Sequence, residues 1–371
     1  DFMGQTVQVI IYIYIGVCIA MLVFNGIFAV SRRASLHHLN RRSEKLEDMI
    51  LLQITLMQRG EPLSPRIQKH IFSQLHTSRG LMAFHGAVTR IREQQPDATA
   101  EYLRLCRPQF LGLAVGLRHN DMKKAYFAYL MAQYRIERDM PHSALSEIMI
   151  EFACSPNAYC RENALKALYS FGSAENVVAA LLRLDQLHIH HHSKLLSDGL
   201  ASFSGDHEKL CALLWQQYPR MSPDLRLVFV NYARLVSGNF CAEFLELLEN
   251  PREDKEVRLA AIRYFRRYRY DPALPVLLRF VSEDAGTDWE YAAIAALSLR
   301  TYPGEETAAA LKAALSSPHW YVRFNAADSL GALGLTRSEA QEIYNGGDRY
   351  AREMLAFRMN ETRARKGEKG V

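Results

Sequence analysis

Hydrophobic residues at the start of the chain form one uninterrupted run. Residues 7–30 read VQVIIYIYIGVCIAMLVFNGIFAV, with no charged residue in 24 positions. A helix of this length rises about 36 Å, enough to cross a hydrocarbon core of about 30 Å. A cleaved signal peptide would need a basic segment before the run and a small-residue cleavage site after it, and the sequence has neither. The pattern therefore predicts a transmembrane helix over 7–30.

Positive charges follow this run closely, and they set the predicted orientation. They are Arg32, Arg33, Arg41, Arg42 and Lys45. Because short cytoplasmic flanks are enriched in Lys and Arg, we expect a short N-terminus outside the cell and everything after residue 31 in the cytoplasm. The six scattered cysteines contain no CxxC pair and agree with a reducing compartment. The chain is thus predicted to be a single-pass cell-membrane protein.

Amphipathic helices are predicted beyond the membrane segment. Over 31–60 the apolar positions recur at helical spacing and end at a Gly60-Glu61-Pro62 break, which predicts a basic juxtamembrane helix that continues from the membrane segment. Ser64 and Pro65 then form a helix start, and 61–150 reads as helical hairpins of irregular length. No segment alternates with period two, so we expect an all-α protein without strands.

A regular pattern with a period of 32 to 33 residues covers 151–336. We call one recurring residue of this pattern the marker position, and turns follow it after 11 to 13 residues. The marker residues are Arg161, Lys194, Arg226, Arg258, Tyr291 and Arg323, and the turns contain Gly172, Gly205, Gly238, Tyr270-Asp271, Gly304 and Gly334. Self-similarity at this period is typical of stacked helical hairpins that bury their apolar faces only against neighbours.

One repeat shows the expected faces of its first helix. In VRLAAIRYFRRY, starting at Val257, the apolar and small residues fall at i, i+3, i+4, i+7, i+8 and i+11 and share one stripe. Arg263, Arg266 and Arg269 point the other way. The last repeat has the same scheme, WYVRFNAADSLGALG, and it ends at Gly334.

These residues carry a family resemblance. The segments EVRLAA at 256–261 and YVRFNAA at 321–327 resemble HEAT repeats of the short bacterial type, the type also found in phycobilin lyases. Segments 160–164 and 225–227 are weaker copies, and Lys194 and Tyr291 depart from arginine at the marker position. The resemblance implies a right-handed α-solenoid, and it implies that the marker arginines form a ladder of polar contacts between repeats.

The resemblance also implies a function. HEAT solenoids with one anchor are similar to accessory subunits of envelope machinery, so we expect a non-enzymatic scaffold or regulatory subunit without a cofactor. Its expected partner is an integral membrane protein complex, with a processive glycosyltransferase making an envelope polysaccharide as the first candidate. The alternative is a HEAT-like lyase, or a ligand or nucleotide sensor that uses the basic face near 263–269.

Two sets of residues are candidates for binding partners. In the predicted anchor, Gly16 and Ala20 form a small-xxx-small pair, and Asn25 places a side-chain amide next to Gly26, which has no side chain. In the repeats, the arginine face offers a surface for an acidic partner, an anionic headgroup or a nucleotide, and it consists of Arg263, Arg266, Arg267 and Arg269.

Other chemistry has little support in the sequence. A net charge of +5 on a tethered chain does not favour nucleic-acid binding, and no GxGxxG, Walker A, GxSxG or HExxH motif occurs. His188 and His192 would share a helix face, as metal ligands do, but no acidic or cysteine ligand stands at matching spacing. A capping helix is expected over 337–360 and a charged tail over 361–371.

Overall fold

The computed structural model describes residues 2–189, 192–282, 288–335 and 337–367. In these ranges the chain is helical throughout and contains no strand, as the sequence predicted. The helices group into two compact units, Asp1–Asn176 and Val177–Val371.

The first unit contains eight of the described helices and the start of a ninth. These are α1 (Phe2–Gln58), α2 (Pro65–Ser73), α3 (Ser78–Gln94), α4 (Pro96–Leu105), α5 (Arg107–Leu117), α6 (Asp121–Tyr134), α7 (Ala144–Ala153) and α8 (Ala158–Phe171), with a 3₁₀ turn at Gln74–His76. Helix α1 packs on α3, and α6 packs on α8. Rings of Phe72, Phe84 and Phe110 meet edge to face or tilted in the core of this unit.

The second unit continues with shorter helices. These are α9 (Ala174–Gln186), α10 (Ser193–Leu200), α11 (His207–Gln217), α12 (Pro223–Val236), α13 (Cys241–Glu249), α14 (Lys255–Arg267), α15 (Leu274–Ser282), α16 (Trp289–Ser298), α17 (Glu305–Ala314), α18 (Trp320–Leu333), α19 (Arg337–Asn345) and α20 (Arg349–Gly367). Three 3₁₀ turns lie at Tyr218–Arg220, Asp271–Ala273 and Leu299–Thr301. Helix α20 continues past residue 360, the predicted end of the capping helix, and residues 368–371 of the predicted tail lie outside the described ranges.

The period seen in the sequence reappears as a pattern of helix contacts. Each even-numbered helix from α10 to α20 packs on the next even-numbered one, and α12, α14, α16, α18 and α20 also pack on the helix just before them. Side chains bond across one period: Asn325 donates to the Ala293 carbonyl at 2.7 Å and Ser329 to the Ala296 carbonyl at 2.7 Å. The acceptor residues Ala293 and Ala296 have small side chains, which let the two helix backbones approach closely enough for such bonds.

Two of the four marker arginines make the same local bonds. Arg323 Nη1 donates to the carbonyls of Ser317 and Pro318 at 2.7 and 3.0 Å, and Arg161 Nη1 donates to those of Ser155 and Pro156 at 3.0 and 2.9 Å. These carbonyls lie in the turn before the helix that carries the arginine. Arg161 and Arg323 therefore tie the start of their helices to the preceding turn.

Tyr291, a marker residue that is not an arginine, contacts the marker arginine of the preceding repeat. The guanidinium of Arg258, the preceding marker residue, lies 4.9 Å from the Tyr291 ring centre and 3.4 Å from its hydroxyl oxygen. Arg323 likewise lies 5.0 Å from the ring of Tyr350, and Arg226 pairs with Glu253 at 3.2 Å. A guanidinium group can bind the face of an aromatic ring through a cation–π interaction, so Tyr291 and Tyr350 provide a partner in place of a carboxylate. Lys194, the other departure, has an exposed side chain.

Turns fall where the glycines predicted them. Gly172 and Gly334 end α8 and α18 with φ of 79° and 82°, the left-handed conformation that favours glycine at a helix C-terminus. Gly60, with φ of 75°, follows the end of α1 at the predicted break.

Candidate functional site

The apolar segment 7–30 lies within α1, a single helix of 57 residues. From Tyr14 to Val30 its large apolar side chains are exposed, for example Leu22 at 71% and Phe24 at 68%. This is the one helix among the described residues that is long and apolar enough to cross a membrane. In water, so many exposed apolar side chains would be strongly unfavourable.

The candidate residues of the anchor lie on different faces of α1. Gly16 and Ala20 are 40° apart around an ideal helix, whereas Asn25 lies 180° from Gly16, at 100° per residue. All of them are exposed, and a Cβ added at Gly16 or Gly26 would meet nothing within 4 Å. The structure therefore does not bring the four residues together into one surface.

The basic residues after the apolar segment are also on α1. Arg32, Arg33, Arg41 and Lys45 have exposed side chains. Arg42 is half-buried and donates from Nε to Gln74 Oε1 at 3.0 Å. Four of the five predicted orientation residues are thus free to meet headgroups, while the fifth also holds the 3₁₀ turn after α2.

Beyond residue 42, α1 becomes part of the core of the first unit. Leu46, Ile50 and Ile54 are at most 1% exposed. The Ser43 hydroxyl donates to the Ala83 carbonyl at 2.8 Å, and the fully buried Gln53 amide bonds both backbone groups of Ser64. The apolar segment and the folded unit are therefore joined by continuous helix.

The predicted arginine face separates into two parts. Arg263, Arg266 and Arg267 lie one helical turn apart on α14, at i, i+3 and i+4, and so share a face. Arg269 follows the end of α14 and pairs with Asp271 at 2.9 Å. Three of the four predicted arginines therefore form one surface, and the fourth belongs to the following turn.

A groove lies beside this surface, between α10, α12 and α14. Its volume is about 450 Å³, within the usual size of small-ligand sites. We call it the arginine groove, and its lining consists of His192, Lys194, Ser197, Asp198, Leu227, Asn231, Arg234, Leu235, Glu256 and Arg263. It therefore combines cationic, apolar and amide groups in one depression.

Arginine side chains in and beside the groove form no ion pair with a carboxylate of the described residues. No carboxylate of the described residues comes within 4 Å of Arg234, Arg263, Arg266 or Arg267, although Asp198 and Glu256 are on the lining. The Nε of Arg234 is buried and has no acceptor among the described residues. The side chain of Arg234 as a whole is half-buried, and Arg161, Arg226 and Arg323 have a buried Nε of the same kind. What distinguishes the groove is that several guanidinium groups lie next to one another.

The electrostatics of the groove agree with the geometry. Burial lowers the pKa of Arg234, and the charges of Arg263, Arg266 and Arg267 lower this pKa further. Burial also lowers the pKa of Arg263, with Glu256 opposing the shift and Arg266 adding to it. Asp198 opposes the shift of the Arg234 pKa. For Arg234 and Arg263 the charged form is thus disfavoured, as occurs at many functional sites.

Arg234 and Lys194 were not among the predicted site residues. The sequence contains a signal for Arg234: it stands eight residues after the marker Arg226, as Arg266 stands eight residues after the marker Arg258. Comparing repeats at this offset would have grouped the two arginines. The contribution of Lys194 follows from the packing of α10 on α12, which the sequence pattern does not specify.

Cysteine and histidine groups offer little other chemistry in the described part of the chain. Burial raises the pKa of Cys106 and Cys211 to about 12, and it also raises the pKa of Cys160, so these thiols stay protonated near neutral pH. No three His, Cys, Asp or Glu residues of the described ranges are grouped closely enough to hold a metal ion. His188 has φ of 51° and is not helical, and His190 and His191 lie outside the described residues.

Comparison with known proteins adds no family to this picture. No protein-family model matches the chain, and no curated protein matches it.

Proposed function

We propose that this chain is a non-enzymatic, membrane-anchored scaffold whose helical repeats bind a membrane-embedded protein partner. The observation that carries the proposal is the continuity of α1, which runs from an exposed apolar segment into the buried core of the first unit. About twelve residues separate Val30 from Ser43, a rise of about 18 Å. A helical tether of this kind would hold the folded unit at a set height above the bilayer.

The helical repeats also support the proposal of a membrane-anchored scaffold. We propose that the helices of 151–336 form a right-handed solenoid of HEAT-like hairpins, in line with the packing of alternate helices in the second unit and with the shared bonds of Arg161 and Arg323. A stack of this kind offers an extended surface to a partner. Anchoring would raise the effective concentration of that surface near other membrane proteins.

The orientation of the anchor follows from charge. The exposed Arg32, Arg33, Arg41 and Lys45 support a cytoplasmic position for the folded part and a short N-terminus outside. A glycosyltransferase that makes an envelope polysaccharide remains the first candidate partner. Its cytoplasmic surface would lie at the height that the tether allows.

The experiment is a pull-down of the full chain from native membranes in a mild detergent, with mass spectrometry of the proteins that come with it. An integral membrane protein in stoichiometric amount is the expected result. Recovery of the chain alone would contradict the proposal.

A variant pair then tests the tether. Residues 34–38 are exposed in α1, so they can be replaced without loss of core contacts. A Gly/Ser replacement of these five residues makes the segment flexible, and an Ala-rich replacement of the same length keeps it helical. We expect partner recovery to fall at least about fivefold with Gly/Ser only, since the effective concentration drops when geometry is lost. Equal recovery with both variants would rule out a rigid tether while leaving the scaffold role intact.

A second candidate function is ligand sensing, and the arginine groove is the observation that favours it. A ligand there would bridge α10, α12 and α14, and could thereby alter how the repeats present their surface to a partner.

A further inference from the structure

We propose that the arginine groove is a binding site for a small phosphorylated ligand that carries at least two negative charges and an organic group. This inference goes beyond the scaffold role, because it would hold whether or not a membrane partner is found. It rests on the cluster of cationic side chains, on the buried Nε of Arg234, which has no acceptor among the described residues, and on the mixed character of the lining.

Charge in and beside the groove is strongly asymmetric. Among the lining side chains, three cations stand against the carboxylates of Asp198 and Glu256, which leaves one net positive charge, and two further cations of α14 lie close enough to lower the pKa of Arg234. The cations are Lys194, Arg234, Arg263, Arg266 and Arg267. A single carboxylate would neutralise only one of these charges. A phosphomonoester or a diphosphate matches the excess better.

The donors suit phosphate in kind as well as in charge. Guanidinium groups present paired N–H donors in a plane, which match two oxygens of a phosphate. Arg234 has a buried Nε–H without an acceptor, and Arg263 lines the same groove from the neighbouring helix. A phosphate between them would accept from both α12 and α14, and it would supply the anion that the free protein lacks.

The rest of the lining is the reason why we expect the phosphorylated ligand to contain an organic group. Leu227, Asn231 and Leu235 follow one another at i, i+4 and i+8, so they form a strip along α12. The strip is half-exposed and places an amide between two apolar side chains. Such a surface can pack against a ring and bond its polar edge, while inorganic phosphate would leave it uncovered. A nucleotide has both parts and is the first probe.

An acidic peptide is the competing occupant, and the shape of the groove disfavours it. A peptide would need a long open track, whereas these residues surround a depression of about 450 Å³ across three helices. A phospholipid headgroup shares the phosphate chemistry, so the test must separate a soluble phosphate ester from a lipid.

The test measures binding to the full chain in a neutral detergent by calorimetry and thermal shift. The probes are ADP, inorganic pyrophosphate, and short-chain phosphatidic acid with phosphatidylcholine of equal chain length as its control. We expect ADP to bind and to raise the melting temperature, and pyrophosphate to bind more weakly. Preference for phosphatidic acid over both soluble probes would assign the phosphate to a lipid source within the same proposal.

Substitutions of lining residues test whether ADP binds in the arginine groove. Arg234→Ala and Arg263→Ala should each weaken ADP binding about tenfold or more, as expected for loss of a charged hydrogen bond. Arg279→Ala is the matched control, because Arg279 is exposed on α15 and does not line the groove. It should leave the dissociation constant unchanged.

A variant that is expected to bind ADP more tightly serves as a further control, because a misfolded protein would not gain affinity. Asp198 is exposed on the groove lining, so Asp198→Asn removes one opposing charge without disturbing the core. It should tighten ADP binding about two- to fivefold, and more at low salt than at high salt. Absence of binding by every phosphate probe, binding that ignores the arginine variants, or binding of a glutamate-rich peptide alone would overturn the proposal.

Discussion

At the scale of single residues, two marker arginines show how a repeated side chain acquires a repeated role. Arg161 and Arg323 belong to different units, yet each bonds two carbonyls in the turn before its own helix. The guanidinium reaches these carbonyls because both helices begin three residues before the arginine, at Ala158 and Trp320. In these two repeats the same residue type at the same offset therefore makes the same bonds.

Replacing Arg323 tests this role. Arg323→Ala removes two hydrogen bonds to carbonyls and the contact with the Tyr350 ring, so we expect the free energy of unfolding to fall by about 1–3 kcal/mol. Lys194→Ala is the control at the equivalent, exposed position, and it should change stability by less than about 0.5 kcal/mol. Thermal or urea unfolding of the full chain in detergent measures both. Equal losses would show that the carbonyl bonds contribute nothing specific.

His85 gives a second prediction at this scale. Burial lowers its pKa below the ordinary value of 6.5, and the charge of Arg92 lowers this pKa further. The unfolded chain keeps the ordinary pKa, so it binds more protons than the folded chain between the two values. Stability from this group is therefore present above pH 6.5 and is lost as the pH falls toward the folded pKa.

His85→Gln removes the titrating group, and it should flatten the loss of melting temperature on acidification from neutral pH. The exposed His119→Gln serves as its control and should retain the slope of the parent protein. A parent-like slope in His85→Gln would mean that other groups carry the acid sensitivity.

At the scale of elements, helix ends agree closely with the sequence because local chemistry sets them. Pro65 occupies the first position of α2, and Gly334 ends α18 in the left-handed conformation. The continuity of α1 agrees with the sequence as well. The juxtamembrane helix was predicted to continue from the membrane segment, and α1 runs through Gln58 because nothing between the two segments interrupts the backbone hydrogen bonds.

A pair of glycine substitutions in α18 tests this local control. Gly334→Ala would force a Cβ into the left-handed conformation, so we expect a loss of about 1–2 kcal/mol. Gly331→Ala lies inside the same helix, where an added Cβ meets nothing within 4 Å, and it should stabilise by about 0.5–1 kcal/mol. Unfolding measurements should therefore give opposite signs. Effects of the same sign would contradict the assigned end of α18.

At the scale of the whole molecule, the proposed topology makes a prediction about the two sides of the membrane. A fluorescent protein fused after Val371 should fold and fluoresce in the cytoplasm, whereas an export-dependent phosphatase at the same site should stay inactive. Replacing Arg32, Arg33, Arg41 and Lys45 with glutamine should weaken this preference. Phosphatase activity in the parent fusion would contradict the cytoplasmic position of the repeats.

The helical content, the breaks between helices and the apolar segment of α1 could be predicted from the order of residues alone. Each depends on interactions within a few residues: backbone bonds, capping, glycine conformation, and the run without charges. The buried stripe of α14 was likewise readable from spacing, since Val257, Ala260, Ala261, Tyr264 and Phe265 are all fully buried.

Which side chains line the arginine groove depends on how the helices pack against one another. Spacing along α14 placed Arg263 beside Arg266 and Arg267, but α12 brought Arg234 and α10 brought Lys194. Arg269 is separate from this surface, because it follows the end of α14 and its side chain pairs with Asp271 instead. Contacts between helices depend on how side chains interlock across the interface, and no short segment contains that information.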